Sequence, residues 1–302
     1  MTSRSLAADP AGSTVATLLQ KAGHRCVVFE STSFPRYHIG ESLIPQTYST
    51  FERLGLLPEL RSSNFPLKYS VRFVSPTGKE AAPFYFFETI EGERARTWQV
   101  KRSEFDQLCQ NNARDSGVEI RSNTTVRKVL FSDEKAIGVR VETTGQPPED
   151  VSARVVVDAS GRGTFLGKQL GLKTDIPGLD KSAIWTYFKG GHRGEGLDAG
   201  ETTVFMIPGR GWFWYIPLPE DIISVGIGQF VPQVWQGVEV IHRLVRAFYD
   251  PDFSFPEFAK RFPAQRAALI DCLIGDVVGR DMTAFLEALA SMTPPPEPLH
   301  VS

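Results

Sequence analysis

Cysteine is scarce in this chain of 302 residues. Cys26, Cys109 and Cys272 are odd in number, far apart and without any Cys-x-x-Cys pair. That excludes a disulfide framework and a cysteine zinc site, and it fits the reduced thiols of a cytoplasmic protein. There are only five histidines, and around His38 no second His, Cys or carboxylate stands at metal spacing, so no metal site is expected. Basic excess is missing too: the net charge is −2 and Lys and Arg are scattered, unlike the electrostatic footprint of a nucleic-acid binder. No stretch approaches the ~18–20 apolar residues of a membrane span, and the N-terminus has no apolar core followed by a cleavage site. What remains is a cytoplasmic protein of one to two domains with a small-molecule partner.

Glycine is short where the N-terminal pattern needs it. Pro10-Ala11-Gly12-Ser13-Thr14 opens a helix that stops at Gly23, and Arg25-Cys26-Val27-Val28-Phe29 reads as a buried parallel strand ending in Glu30. This is the second half of a dinucleotide-binding βαβ unit, with Gly12 and Ser13 at the helix start facing a pyrophosphate and Glu30 accepting from a ribose. A full G-x-G-x-x-G fingerprint would need glycine at positions 7, 9 and 12, whereas the chain has Ala7, Asp9 and Gly12. Asp9 adds bulk and negative charge where an anion should sit. Met1–Leu6 shows no β pattern, so the first βαβ strand is expected to be incomplete. Further on, Val155-Val156-Val157 ends in Asp158-Ala159-Ser160-Gly161, which fits a nucleotide site at the carboxyl ends of strands.

Aromatic residues supply the other half of the pattern. In Gly211-Trp212-Phe213-Trp214-Tyr215-Ile216-Pro217, strand alternation puts Trp212, Trp214 and Ile216 on one face; Pro217 ends the strand, and Ile222–Ile227 supplies its partner. Taken alone, this is a core hairpin filled with aromatics. Lys68-Tyr69-Ser70-Val71-Arg72-Phe73-Val74 alternates as one strand with Lys68, Ser70 and Arg72 on a shared face, ordinarily a solvated one. Phe84-Tyr85-Phe86-Phe87 extends the apolar surface.

The Trp-x-Trp-x-Ile-Pro segment resembles the signature of the flavin-dependent halogenases. Phe34-Pro35-Arg36-Tyr37-His38-Ile39-Gly40-Glu41-Ser42-Leu43-Ile44-Pro45 resembles their flavin-wrapping segment, and Lys68 ahead of Ser-Val-x-Phe resembles the catalytic lysine of the phenol/pyrrole type. The resemblance implies an α/β fold like that of the FAD-binding p-hydroxybenzoate hydroxylases: a Rossmann layer plus a substrate β-sheet, with a helical C-terminal cap. It implies that reduced FAD from a partner flavin reductase, oxygen and halide act on an electron-rich aromatic ring, a phenol or pyrrole, free or bound to a carrier protein. Arg36 would lie by the adenosine and Gly40, Glu41 and Ser42 by the ring system, with Arg102, Val126 and Asp158 also contacting the cofactor. Lys68 would position the halogen electrophile, with Lys79 as the fallback. Trp212, Trp214, Ile216 and Pro217 would wall substrate off from the flavin, and Phe84–Phe87 would face substrate.

The resemblance also marks a gap. The family's second flavin motif, Gly-Asp-Ala followed by proline and a glycine-led helix, has no counterpart between Gly228 and a helix expected over 234–249, so the chain reads as an internally shortened member. The expected organisation is an FAD layer over 1–66 and 97–175, a substrate sheet over 67–96 and 176–232, helices over 233–292 and a loose tail over 293–302. A monooxygenase or reductase of the same fold, and an inactive remnant that binds no flavin, are the alternatives.

Overall fold

The computed structural model describes residues 2–6, 9–177, 181–207 and 211–230. The expected helices beyond 233, the tail, Ala7, Cys272 and the shortened join lie outside the described residues. The described residues divide into two compact units, one formed by 2–6, 9–40, 46–63 and 101–175, the other by 41–45, 64–100, 176–177, 181–207 and 211–230.

The first unit is built on a four-stranded parallel sheet in the order Val155–Val157, Thr2–Leu6, Arg25–Phe29, Glu119–Arg121. The first strand is therefore present, against expectation. Thr2–Leu6 pairs with Arg25–Phe29 on one side and Val155–Val157 on the other. Backbone ladders on both edges hold a segment whose polar side chains give no strand pattern, because β propensity reports context more than sequence.

Arg25–Phe29 is covered on both faces, as parallel strands are. Cys26 and Val28 pack with Ala16, Ala113 and Val118, while Val27 and Phe29 pack with Val129, Val139, Val141 and Val151. The second set comes from a three-stranded antiparallel sheet of Thr124–Ser132, Lys135–Thr143 and Glu149–Ser152. Both described cysteines are buried thiols outside any disulfide; burial pushes the Cys109 thiol well up, so it is inert filler. Helix Pro10–Lys21 starts on Asp9, whose side chain accepts from Gly12 N at 3.3 Å, with Pro10 in the first turn. Gly23, at φ +83°, lets the chain turn back beyond its end. Lys21 Nζ then donates to Leu54 O at 2.6 Å, capping the helix Tyr48–Leu54.

The second unit carries a six-stranded sheet in the order Lys181–Lys189, Ile222–Phe230, Gly211–Pro217, Thr202–Ile207, Ser70–Val74, Phe84–Tyr85. All pairs are antiparallel except Thr202–Ile207 with Ser70–Val74. The expected hairpin is present, with Trp212 opposite Gly228, Trp214 opposite Gly226 and Ile216 opposite Ser224. Pro217 pairs with Ile223 only, past the point where Thr202–Ile207 stops pairing, so its missing N–H leaves no ladder bond unmade. The hairpin turn puts Glu220 and Asp221 at φ 59° and 62°, and the Arg193 guanidinium holds it by donating to Leu218 O and Ile222 O.

One expectation about this unit fails. Lys68 and Ser70 do not share a strand: Leu67–Lys68 pairs with Thr97–Trp98 in a separate two-stranded ladder, and Tyr69 breaks the run. Ser70 and Arg72 turn to the buried carboxylate of Glu201, at 2.8 and 2.6 Å, while Lys68 turns elsewhere. Competing buried partners split a pattern that looked continuous.

Candidate functional site

In the first unit, the carboxyl ends of the parallel strands and the start of helix Pro10–Lys21 carry the residues expected at a nucleotide. A cavity of about 370 Å³ is lined there by Asp9, Glu30, Arg36, Val126 and Ser160 among others. Glu30, buried at the end of its strand, accepts from Thr32 N at 3.1 Å and Thr32 Oγ1 at 3.0 Å, and Arg36 lies 3.8 Å from its other oxygen and over the Phe34 ring. A carboxylate and a guanidinium on one wall suit a ribose and the edge of an adenine. Gly12 and Ser13 are buried in the first helical turn.

Asp158, Arg102 and Gly40 are spent largely on the protein itself. Asp158 accepts from Ser160 N at 2.9 Å and Leu166 N at 2.8 Å; burial would raise its pKa, but these bonds and that of the Ser160 side chain hold it below the usual value. Arg102 grips Asp106 through Nε at 2.7 Å and Nη2 at 3.0 Å and donates from Nη1 to Ile39 O. Gly40, at φ +109°, passes so near that a Cβ there would stand 2.9 Å from Arg102 Nη1. His38, as expected, is a hydrogen-bonder, donating from Nδ1 to Ile39 O at 2.8 Å.

The residues fit a dinucleotide at its adenosine end and conflict with it at the pyrophosphate. Asp9 occupies the helix start with its own carboxylate, taking the Gly12 N–H that a phosphate would use. Burial, countered by the Gly12 bond and by Arg36, raises its pKa, which is the response of a carboxylate short of solvent.

In the second unit, Lys68 is 3 % exposed. Its Nζ donates to Ser42 Oγ at 2.9 Å and Leu43 O at 3.1 Å, and stands 5.5 Å from the Phe86 ring centre. Burial lowers its pKa from 10.5 to about 8. Gly200 makes room for this strand, since a Cβ there would lie 2.1 Å from Leu67 O. Glu41 and Ser42 belong to this unit, Glu41 buried and accepting from the Tyr187 hydroxyl. Lys79, the fallback, is exposed.

The Trp wall is half-buried and backed by glycine: Gly226 and Gly228 lie beneath Trp214 and Trp212, and Trp214 Nε1 donates to Ser224 Oγ at 3.3 Å. On the opposite face, burial pushes the Tyr215 phenol up to about 12, and its hydroxyl donates to His192 O at 2.8 Å. Phe84 and Phe87 are half-exposed at the sheet edge, and Phe86 is buried.

Gln99 and Thr202 were not anticipated. Gln99, wholly buried, donates to Gly200 O and Thr202 Oγ1, both at 2.8 Å, and Thr202 Oγ1 lies 2.8 Å from Ser42 Oγ. The signal was a glutamine inside the apolar run Thr97–Val100, since a buried amide needs partners. Among the described residues no cluster of His, Cys, Asp and Glu could hold a metal, and no helix is long and apolar enough to cross a membrane.

Comparison with known proteins gives the family. The FAD binding domain family model matches residues 7–189. The 1H-pyrrole-2-carbonyl-[peptidyl-carrier protein] chlorinase of Pseudomonas fluorescens is 31% identical over 239 residues, covering 72% of this chain and 53% of that protein. The corresponding brominase of Pseudoalteromonas luteoviolacea is 33% identical over 224 residues, covering 74% and 53%. The crystal structure of the flavin-dependent halogenase CmlS superposes with a TM-score of 0.73 at 30% identity, covering 91% of this chain and 47% of that one. The chain thus spans about half the length of the curated relatives it matches. It belongs to the FAD-binding domain family, and the proteins it is similar to include flavin-dependent halogenases.

Proposed function

We propose that this chain serves the halogenation of an electron-rich aromatic ring, a phenol or pyrrole, with Lys68 as the catalytic residue. The observation that carries the reading is the Lys68 amine: buried, held by Ser42 and Leu43, and with its pKa lowered by burial to about 8. A lysine that merely solvated a strand face would have neither partners nor a lowered pKa. As an ammonium it donates a hydrogen bond to an electrophilic oxygen–halogen species; as a neutral amine it offers a lone pair to the halogen. The ring carbon then forms its bond to halogen as the oxygen–halogen bond breaks, and the proton it loses joins the released hydroxide as water.

FAD, when bound, supplies the oxidising power that turns halide into an electrophile; a partner reductase would deliver it reduced. Glu30 and Arg36 would hold its adenosine end, Gly12 and Ser13 would face its pyrophosphate only where Asp9 yields the helix start, and Trp212, Trp214, Ile216 and Pro217 would keep substrate apart from its ring. The curated relatives include a chlorinase and a brominase of a carrier-bound pyrrole, which supports a carrier-bound pyrrole here among the candidate substrates. A second reading, a fold that holds flavin poorly, is favoured by Asp9 at the pyrophosphate position.

The test is incubation of the chain with chemically reduced FAD, air, chloride or bromide and a panel of phenols and pyrrole-2-carbonyl thioesters. Products bearing the halogen isotope pattern support the reading. Hydroxylated products alone would transfer it to a monooxygenase of the same fold.

A further inference from the structure

Lys68 stands at the end of a row of four polar side chains. Its Nζ lies 2.9 Å from Ser42 Oγ, which lies 2.8 Å from Thr202 Oγ1, which accepts from Gln99 Nε2 at 2.8 Å. The far end has fixed polarity. The other N–H of Gln99 donates to Gly200 O at 2.8 Å, and a carbonyl cannot donate, so the amide nitrogen must face this way and can only donate to Thr202. The near end has variable polarity, because an amine is a pure donor when charged and gains an acceptor lone pair when neutral. Between them stand two hydroxyls, each able to donate or accept.

Two arrangements are compatible with these contacts. With Lys68 charged, Nζ donates to Ser42 Oγ and Leu43 O, and the Ser42 hydroxyl donates to Thr202 Oγ1. With Lys68 neutral, the Gln99 to Thr202 bond stays as it is and the other two can reverse: Thr202 donates to Ser42 and Ser42 to the lysine lone pair, while one N–H stays on Leu43 O. Two hydroxyl rotations separate the arrangements and no heavy atom moves.

The charged groups on the surrounding elements have their own partners. Glu41, next to Ser42, accepts from Tyr187, and Glu201, next to Thr202, is held by Ser70 and Arg72. Phe86 offers only its ring, and burial is what displaces the lysine titration. Strand register also ties the row to the aromatic wall. Val204 pairs with Trp214 and Met206 with Trp212, so Thr202, two residues before Val204, lies on the sheet face that carries both indoles.

We propose that Ser42, Thr202 and Gln99 form a reversible hydroxyl row that hydrogen-bonds the Lys68 amine in both its charged and its neutral form, making Thr202 and Gln99 positioning residues for Lys68. The proposal rests on Lys68 as the reactive amine. Its function is to let the buried lysine gain or lose a proton while its Nζ and the Ser42 hydroxyl stay hydrogen-bonded, since an unpaired buried amine would resist the change.

The test titrates Lys68 in the full chain by NMR of labelled lysine side chains, with the Lys68 signal assigned by its loss in Lys68→Met. Ser42→Ala removes the acceptor of the ammonium and should lower the titration midpoint by about one pH unit, the scale of one charge-assisted hydrogen bond. Thr202→Val should lower it by less, since Ser42 then loses the partner that polarises it, and Thr202→Ser, which keeps the hydroxyl, should restore the wild-type midpoint. A midpoint unmoved by Ser42→Ala and Thr202→Val in folded protein overturns the proposal, as does Thr202→Ser behaving like Thr202→Val. The readout needs no turnover. A shifted midpoint with halogenation that survives Lys68→Ala would sink the functional reading and leave the row standing, while the reverse pair of results would sink the row alone.

Discussion

Trp214 fills the space that a side chain at residue 226 would need: a Cβ on Gly226 would come within 2.1 Å of the indole. The two residues are cross-strand partners, and the same relation recurs two pairs along, where a Cβ on Gly228 would stand 2.9 Å from Trp212. The wall is thus two interlocked sets, Trp-x-Trp over Gly-x-Gly, in which each glycine receives the ring opposite it.

Gly226→Ala is therefore expected to displace Trp214, break its bond to Ser224 and cost about 1–3 kcal/mol, the usual range for overpacking. Near-ultraviolet circular dichroism and thermal melting should both change. An alanine variant with the wild-type spectrum and melting temperature would show that the strand yields without moving the indole.

Stability should depend on pH through Lys68. Its folded-state pKa, about 8, lies below the unfolded value of 10.5, so the unfolded chain binds the extra proton between these limits and stability rises with pH across that window. Below pH 8 the buried charge costs on the order of 3 kcal/mol. Lys68→Met should therefore melt higher than wild type at pH 7, with the advantage gone by about pH 10. A variant that melts lower at pH 7 would mean the amine is paid back by contacts beyond Ser42 and Leu43.

FAD should bind weakly, with a dissociation constant in the micromolar range or above, because Asp9 competes with the pyrophosphate for the helix start. Asp9→Asn keeps the cap and removes the charge, so affinity should rise roughly tenfold. Since burial raises the Asp9 pKa, wild-type affinity should also improve as pH falls and the carboxyl protonates, and the variant should not follow. Titration of flavin fluorescence reads both effects; equal affinities at all pH values would remove Asp9 from the account.

Much of this was legible in the sequence, for definite reasons. Period-two alternation gave the Trp strand its faces, and the run Cys26–Phe29, apolar on both faces, marked a covered parallel strand. Asp9 was readable as a defect in a glycine fingerprint, but its role as a helix cap depended on Pro10 following it, a local signal that the missing glycines obscured. Thr2–Leu6 was not readable, because its strand character comes from neighbours more than a hundred and about twenty residues away. The same holds for Lys68. Nothing in Lys68–Val74 says that the amine turns to Ser42 while Ser70 and Arg72 turn to Glu201, since those partners meet only in the folded unit. Gly226 and Gly228 were visible as strand glycines, and only the antiparallel register shows that they answer Trp214 and Trp212.

The most direct test of the central claim compares wild type with Lys68→Ala under reduced FAD, air and halide, following halogenated product by mass spectrometry and flavin reoxidation by absorbance in the same reaction. The account predicts that the variant makes no halogenated product while flavin reoxidises at the wild-type rate. Halogenation that persists in the variant would contradict it.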